Sequence, residues 1–256
     1  MLAQVRIAGK DGAVFRTIKK RIRRYLGVPE KPIENPQESL RKMVPAFFEK
    51  DRIDLHERDV YEFGVYGGES MRFIADVFER HGVRIRKMFG FDSLEGLPPE
   101  KDDPYLDEEW TPGSFNASEL FQTKDTKAIL DRIIKKIGHR GFDIVIVPGF
   151  WDSVLEDGLV KKHDMRPASY IDIDCDLYSS TYLALDFMFR NKLAAVGSLI
   201  GYDDWGGTLV FADEGKGGES RAHEEIKEKY KVTYQLLQKI GVPPHVKTLF
   251  KIESIG

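Results

Sequence analysis

The 256-residue sequence has a single cysteine, Cys175. One cysteine cannot form a disulfide within the chain, and it cannot supply the several thiolates of a cysteine-built zinc site. Because proteins that depend on disulfides are found mainly outside the cytosol, this scarcity of cysteine predicts a cytoplasmic protein.

Long apolar runs and an excess of positive charge are absent as well. No charge-free apolar run approaches the roughly 20 residues that a membrane span needs, and Arg6, Lys10 and Asp11 interrupt the stretch where a signal peptide would be apolar. The 39 lysines and arginines against 42 aspartates and glutamates give a net charge of −3, which argues against a partner bound through its phosphates. We therefore expect neither a membrane nor a nucleic acid to be the main partner.

The residues that are present predict a folded α/β protein. The sequence has 16 Phe, 10 Tyr and 3 Trp, more aromatic residues than a disordered chain carries. From Asp59 onward, short strand-like segments alternate with amphipathic helices, and the predicted strands are residues 59–65, 87–91, 142–147, 168–174 and 194–202. This alternation predicts a doubly wound, mostly parallel sheet with helices on both faces, whose ligands bind at the carboxyl ends of the strands.

The segments outside this alternation predict additions to the sheet domain. Residues 1–58 are predicted to be a helical extension or lid, in which the prolines of segment 27–36 precede a helix at 38–49. Residues 59–256 then form the main domain. Segment 95–109 has seven acidic residues and three prolines; a solvated loop is the simplest interpretation, and a substrate lid is the alternative.

The first turn from strand to helix is rich in glycine. Residues 62–70 read EFGVYGGES, and glycines at such a turn let the backbone approach a ligand closely. The turn lacks the dinucleotide-binding pattern G-x-G-x-x-G, so by itself it is equally typical of a purely structural turn. Asp92, which follows Gly64 by 28 residues, ends the next strand, where a carboxylate can accept both ribose hydroxyls of a nucleoside. Together the two features predict an adenosine-type ligand.

Carboxylates follow two later strands. Asp172, Asp174 and Asp176 alternate with apolar residues, and no basic residue lies nearby in sequence to neutralise them. Asp203 and Asp204 end the next strand, at a distance along the chain that fits one helical crossover. Anions packed so closely repel, and a divalent cation that prefers oxygen ligands relieves the repulsion. The pattern therefore predicts a magnesium-like site, with helix capping or salt bridging as the alternative.

Four segments carry a resemblance to a known family. In this order and spacing, VYEFGVYGGES, FGFDSLEGLPPE, IDIDCDLYSSTYLALDF and GSLIGYDDWGG resemble the macrocin O-methyltransferase family, whose members methylate sugar hydroxyls in antibiotic biosynthesis. The resemblance covers about residues 58–225. It implies a class I methyltransferase (Rossmann-like) fold, S-adenosyl-L-methionine as the methyl donor, and a magnesium ion (Mg2+) that holds a sugar diol.

The resemblance also implies roles for individual residues. By motif match, Asp174, Asp203 and Asp204 resemble the family's metal ligands, and Asp176 resembles its general base, so Asp174 and Asp176 are the predicted catalytic residues. Gly64, Gly67 and Asp92 fall on the family's cofactor positions. The full predicted cofactor site consists of Glu62, Gly64, Tyr66, Gly67, Ser70, Asp92, Ser93 and Asp152.

These patterns predict a magnesium-dependent O-methyltransferase acting on a hydroxyl of a sugar or vicinal diol, with a small glycosylated natural product as partner and a homo-oligomer left open. The alternative is a metal-dependent glycosyltransferase, because an Asp-x-Asp pair at a strand end also holds a nucleotide sugar through a divalent ion. His223 and His245 are candidate substrate contacts, although a surface position is the simpler interpretation of each.

Overall fold

The computed structural model of the chain describes residues 36–51, 55–103, 110–205, 216–242 and 245–256. These residues lie in a unit that extends from Asn35 to Gly256. Two sequence predictions fall partly outside the described residues: the helical extension, which is described only from residue 36, and the acidic segment, of which residues 104–109 are not described.

Seven strands form one sheet in the described part of the chain. They are β1 (Asp59–Phe63), β2 (Lys87–Asp92), β3 (Asp143–Pro148), β4 (Ala168–Ile173), β5 (Leu199–Tyr202), β6 (Thr233–Val242) and β7 (His245–Ser254). Their order is β3-β2-β1-β4-β5-β7-β6. Strands β1 to β5 pair in parallel, whereas β7 pairs antiparallel with both β5 and β6. The predicted doubly wound, mostly parallel sheet is confirmed.

Helices connect the strands and cover the sheet. They are α1 (Pro36–Asp51), α2 (Glu69–Arg80), α3 (Ala117–Leu120), α4 (Thr126–Ile137), α5 (Trp151–Val154), α6 (Asp157–His163), α7 (Tyr178–Arg190) and α8 (Gly218–Tyr230), with a short 3-10 turn at Leu55–Glu57. Helix α2 begins at the glycine turn and buries one face, including Ile74, Val77 and Phe78. Apolar residues at a helical spacing thus fix both the helix and the side that faces the sheet.

The sheet separates two apolar layers. One layer includes Phe63, Phe91 and Phe187, and the other includes Val60 and Met88 together with the buried face of α2. Phe63 and Phe91 stack on neighbouring strands with ring centroids 4.7 Å apart. Because both faces of a parallel sheet are covered, its strands are buried along their whole length, and β1, β4 and β5 show this pattern.

Helix α1 belongs to the second apolar layer. Its residues Leu40, Val44 and Phe48 recur every four positions and are buried there, and the Phe48 ring meets the Phe78 ring edge-on at 5.7 Å. This helix therefore packs on the sheet domain, although it precedes residue 58. The division of the chain at residue 58 stays a prediction.

Several strand boundaries differ from the prediction by one or two residues, and the start of β5 differs by five. Strand β5 begins at Leu199 and not at residue 194, because residues 195–198 form a turn closed by a hydrogen bond from the Ser198 amide to the Ala195 carbonyl (2.9 Å), with Gly197 at φ +87°. Strand β4 ends at Ile173, so Asp174 is the first residue beyond the strand. Among the described residues, no helix combines the length and apolar character that a membrane crossing requires.

Candidate active site

A cavity of about 840 Å³ opens at the carboxyl ends of the parallel strands. This volume suits a small molecule. Its walls come from the loops after all five parallel strands, as expected for a doubly wound sheet. The residues concerned include Gly64, Tyr66, Ser70, Asp92, Ser93, Phe150, Trp151, Asp152, Asp174, Asp176, Asp203 and Asp204.

The register of the sheet brings the first, fourth and fifth of these loops together. Phe63 at the end of β1 is level with Ile173 of β4, which is level with Tyr202 of β5. The next residue of each strand therefore lies at the same height: the Asp174 amide donates to the Phe63 carbonyl (2.9 Å), and the Asp203 amide donates to the Ile173 carbonyl (3.0 Å). The glycine turn and the carboxylates thus form one continuous surface.

The glycine turn, residues 64–70, requires its first glycine. Gly64 has φ +99°, and a Cβ atom there would lie 1.8 Å from the carbonyl oxygen of Asp174. No other residue type fits such a close approach with a positive φ. Tyr66 also has a positive φ, of 46°. The sequence marks this turn by its glycines, and the structure shows that one of them is needed where the turn touches the backbone of Asp174, just beyond β4.

The Asp92 carboxylate holds the glycine turn in place. One of its oxygens accepts from the amides of Val65 (2.8 Å) and Tyr66 (2.7 Å), and the other accepts from the amide of Leu94 (2.6 Å). Burial raises the pKa of Asp92, while these three hydrogen bonds act in the opposite direction. In this structure the carboxylate thus organises the backbone of the turn, and its predicted contact with a ribose stays a prediction.

The other predicted cofactor residues are distributed around the turn. Ser70 and Ser93 line the cavity, where the Ser93 hydroxyl donates to the Gly96 carbonyl (2.8 Å). Asp152 lines it at the start of α5. Glu62 does not line the cavity; it is fully buried behind the turn and accepts from the Ser70 hydroxyl. Gly67 does not line the cavity either, and its Cβ position would face Glu69 and Leu120.

The carboxylates after β4 and β5 converge. Asp174, Asp203 and Asp204 each offer a ligand oxygen, and these oxygens lie within 4.8 Å of one another. The Oδ1 atom of Asp203 is buried and has no hydrogen-bond partner among the described residues. Asp176 lies beside them on the cavity wall. We call Asp174, Asp176, Asp203 and Asp204 the carboxylate cluster; a hard divalent cation fits its oxygen donors.

Two cations from distant parts of the chain face the cluster. Arg41 of α1 donates to Asp172 (Nε to Oδ2, 3.0 Å) and to Asp174 (Nη2 to Oδ2, 3.1 Å). Lys247 of β7 lies 2.7 Å from an oxygen of Asp203. No basic residue lies near these carboxylates in sequence, but the fold supplies both counter-ions from distant parts of the chain, so the salt bridging named as the alternative is present.

Burial and mutual repulsion raise the pKa of three members of the carboxylate cluster. Burial raises the pKa of Asp174, although Arg41 opposes this effect. Burial and the carboxylates of Asp204 and Asp174 raise the pKa of Asp176 well above its usual range. Burial, with Asp174 and Asp204, raises the pKa of Asp203 to about 8. A cation bound to the cluster would displace the extra protons.

Residues 42–233 match the family model described as Macrocin-O-methyltransferase (TylF). The chain belongs to the macrocin O-methyltransferase family. Membership makes it an O-methyltransferase that uses S-adenosylmethionine, which confirms the predicted family, enzyme class and donor. The match spans both the glycine turn and the carboxylate cluster, whereas Arg41 and Lys247 lie outside it.

Solved structures with the same fold support the class I methyltransferase architecture. CalS11, a calicheamicin methyltransferase, is 16% identical with a TM-score of 0.61, and the match covers 95% of this chain and 94% of that chain. The O-methyltransferase NovP is 16% identical with a TM-score of 0.59, covering 86% of this chain and 80% of that chain. Among curated proteins, none matches the chain significantly. Nothing among these relatives supports the glycosyltransferase alternative.

Three features of this family member's site were missed in the sequence. Glu219 of α8 is fully buried; its carboxylate accepts from the amides of Asp204 (2.8 Å) and Cys175 (3.4 Å), and so it ties together the loops after β4 and β5. Arg41 and Lys247 are the others. All three are remote in sequence from their partners, and no local pattern marks them.

His223 is buried, so the surface interpretation was wrong for this residue. Its ring is 1% exposed and packs against Trp205, Tyr234 and Phe250, with Nδ1 2.8 Å from the Tyr202 hydroxyl. Burial lowers its pKa to about 3. It supports the end of β5 and does not line the cavity.

The part of the acidic segment that the structure describes is docked on the helices of the site. The Glu100 carboxylate accepts from the Ser179 amide (2.8 Å) at the start of α7, and Asp103 accepts from the Gly218 amide (2.6 Å) at the start of α8. Carboxylates at helix N-termini are favourable. Pro98 and Pro99 line the cavity. The segment is thus part of the wall, and its role as a moving lid stays a prediction.

Proposed function

We propose that the protein transfers the methyl group of S-adenosylmethionine to a hydroxyl of a sugar or vicinal diol, and that the transfer requires magnesium. The observation that carries this proposal is the junction of the glycine turn with the carboxylate cluster in one cavity. Asp174 belongs to the cluster, and its carbonyl contacts Gly64 directly. A donor on the turn and an acceptor on the cluster would therefore be neighbours.

Each region would perform a separate task. The glycine turn would present backbone amides and close approach to the donor, whose sulfonium already activates the methyl group. Asp174, Asp203 and Asp204 would hold the magnesium ion, which when bound lowers the pKa of a coordinated hydroxyl and fixes its position. The unpartnered Oδ1 atom of Asp203 supports this assignment, because a buried acceptor without a partner is costly.

Asp176 is the proposed general base. It lies two residues beyond Asp174, lines the cavity and is 8% exposed, and it is not among the three carboxylates whose oxygens converge. A base must reach the proton that it removes, and a hydroxyl held on the cluster would be within such reach. If two adjacent acceptor hydroxyls both bound the magnesium ion, this chelation would hold one of their oxygens in line with the methyl carbon of the donor, roughly 3 Å away.

The acceptor is proposed to be a glycosylated natural product of antibiotic biosynthesis, methylated in the cytoplasm. The family name supports a sugar hydroxyl as the acceptor. CalS11 is described as a TDP-rhamnose 3'-O-methyltransferase of calicheamicin biosynthesis, which makes sugar nucleotides worth including among the acceptors tested. Mass spectrometry of products formed from a panel of such acceptors with isotopically labelled donor would identify the substrate class.

The test of metal dependence uses two substitutions in the cluster. Asp203→Asn should abolish turnover and magnesium binding while S-adenosylhomocysteine still binds, and Asp176→Asn should lower turnover with both ligands still bound. Asp131→Asn, at an exposed ion pair on α4, is the matched control. Full activity after exhaustive chelation would refute the requirement for a metal ion. Equal turnover of a diol and its deoxy analogue at saturation would refute chelation of the acceptor.

A further inference from the structure

Lys247 lies where a cation would bind to the carboxylate cluster. Its ammonium nitrogen is 2.7 Å from Oδ2 of Asp203 and 3.7 Å from Oδ1 of Asp204. The residue is 7% exposed and lines the cavity. One ammonium group thus faces two of the three carboxylates that would hold the metal ion.

The sheet fixes this position. Thr248, the next residue, pairs with Tyr202 of β5, and the Val246 carbonyl accepts from the Trp205 amide (3.0 Å). The backbone on both sides of Lys247 is therefore bound to the strand and loop that carry Asp203 and Asp204. The lysine cannot move away from the cluster as a whole, although its side chain can rotate.

We propose that the ammonium group of Lys247 is a built-in counter-ion that competes with the divalent cation for Asp203 and Asp204. This inference rests on the proposed function, since it assumes that the cluster binds a metal ion. Lys247 neutralises the carboxylates when no metal is bound, and it weakens the binding of the metal ion when one arrives.

The competition has two causes: the ammonium group repels the metal ion, and it already occupies one carboxylate oxygen of Asp203. Like charges a few ångströms apart repel strongly where water is largely excluded, and the ammonium group and a metal ion on Asp203 would be that close. Oδ2 of Asp203 already accepts from the ammonium group, whereas Oδ1 of the same carboxylate is buried and has no partner among the described residues. The metal ion would thus bind Oδ1 of Asp203, while the ammonium group of Lys247 on Oδ2 repels it.

A purely structural lysine would give a different result. If Lys247 only stabilised the fold, its removal would lower stability and leave the affinity for metal unchanged or weaker. A competing counter-ion predicts tighter metal binding after its removal. The consequence for the reaction is that the free enzyme holds its ion weakly and completes the coordination with acceptor oxygens, since magnesium keeps several non-protein ligands.

The experiment is calorimetric titration of the full chain with MgCl2. Lys247→Met should bind Mg2+ at least about tenfold more tightly than the unsubstituted protein, whereas Lys247→Arg, which keeps the charge, should stay within about twofold of it. Lys229→Met is the control, because Lys229 also pairs with an aspartate (Asp186, 2.6 Å) but neither residue lines the cavity, and it should leave Mg2+ affinity unchanged. Unchanged or weaker binding by Lys247→Met would overturn the proposal.

Two further measurements keep the result interpretable. Lys247→Gln retains a hydrogen-bond donor without the charge, so it replaces the methionine variant if that variant does not fold. The same increase in Mg2+ affinity is expected.

Binding of Mg2+ by the unsubstituted protein but not by Asp203→Asn supports the metal site itself. If neither protein bound Mg2+, the proposed metal dependence would fail; if the metal bound but Lys247→Gln showed unchanged affinity, only the competition would fail.

Discussion

The glycine turn and the carboxylate cluster occupy neighbouring strand ends, yet different forces hold them in place. The turn is fixed by its backbone: Gly64 fits against the carbonyl of Asp174, and Asp92 binds three amides. The cluster is fixed by charge: Arg41 and Lys247 partly neutralise its carboxylates. Steric limits therefore govern the first region, and electrostatic balance governs the second.

This difference explains what each region tolerates. A backbone contact as close as that of Gly64 leaves no room for any side chain. Substitution of Gly64 should therefore lower the stability of the fold directly. The carboxylate cluster can be neutralised by different cations, either basic side chains or a bound metal ion. Its stability therefore depends on which of these cations are present. Four predictions test this contrast, in order of decreasing expected effect.

Gly64→Ala should have the largest effect. The new methyl group would lie 1.8 Å from the Asp174 carbonyl oxygen at φ +99°, so we expect the free energy of unfolding to fall by about 4 kcal/mol. Urea denaturation measures this change. Gly82→Ala, also at a positive φ but with open space around its Cβ position, is the control and should cost about 1 kcal/mol. A Gly64→Ala protein as stable as Gly82→Ala would show that the contact is not limiting.

Arg41→Met should come next, because it leaves the buried carboxylate of Asp172 without its cation. Breaking a buried ion pair from one side is expected to cost about 3 kcal/mol of unfolding free energy. Adding Asp172→Asn in the same chain should recover part of this loss. The exposed pair of Arg72 and Asp76 supplies the comparison, and Arg72→Met should cost less than about 1 kcal/mol. Equal costs at the two arginines would contradict the electrostatic account of the cluster.

The third prediction concerns pH and the histidine behind the cluster. The pKa of His223 in the folded protein is lowered to about 3, so the unfolded chain takes up a proton below its ordinary pKa of about 6.5 while the folded chain does not. Stability from this group is complete above pH 6.5 and is lost as the pH falls towards 3. As the pH falls from 7 to 5, the titration of His223 should lower the free energy of unfolding by about 2 kcal/mol.

The variant His223→Phe isolates this contribution. Neighbouring carboxylates with raised pKa values act in the opposite direction, so the measured quantity is the difference between the two proteins in their change of unfolding free energy from pH 7 to pH 5. The variant should lose about 2 kcal/mol less than the unsubstituted protein over this range. Identical pH dependence of the two proteins would show that the pKa of His223 is not lowered in the folded state.

Asp92→Asn should have the smallest effect, and on binding more than on stability. The amide side chain keeps one oxygen acceptor but presents an NH2 group to a backbone amide, so the glycine turn shifts. We expect affinity for S-adenosylhomocysteine to fall about tenfold, which corresponds to about 1.4 kcal/mol. Calorimetric titration checks this, with Ser118→Ala as control, because the Ser118 hydroxyl of α3 donates to the Leu94 carbonyl (2.9 Å) and does not contact Asp92. Undiminished affinity would mean that Asp92 contributes to neither the turn nor the donor.

The sequence predicts the arrangement of elements well because parallel strands and amphipathic helices leave local patterns. The alternation from Asp59 onward predicts all five parallel strands, and the glycines predict the turn after β1. The counter-ions have no such pattern. Arg41 lies 131 positions from Asp172, and only the packing of α1 on the sheet brings them together. Likewise Glu219 of α8 lies 15 positions from Asp204, and no local pattern predicts that its carboxylate accepts from the Asp204 amide.

The contact between Gly64 and the Asp174 carbonyl has a consequence for how the enzyme could diversify. If donor and acceptor bind at the turn and the cluster, as proposed, the spacing between them is a property of two hydrogen-bonded main chains. The side chains of the surrounding walls, such as Pro98 and Leu183, can then change to admit differently shaped acceptors without disturbing that spacing. On this proposal, the distance between donor and acceptor and the choice of acceptor depend on different parts of the site, so engineering of acceptor range should begin at the walls.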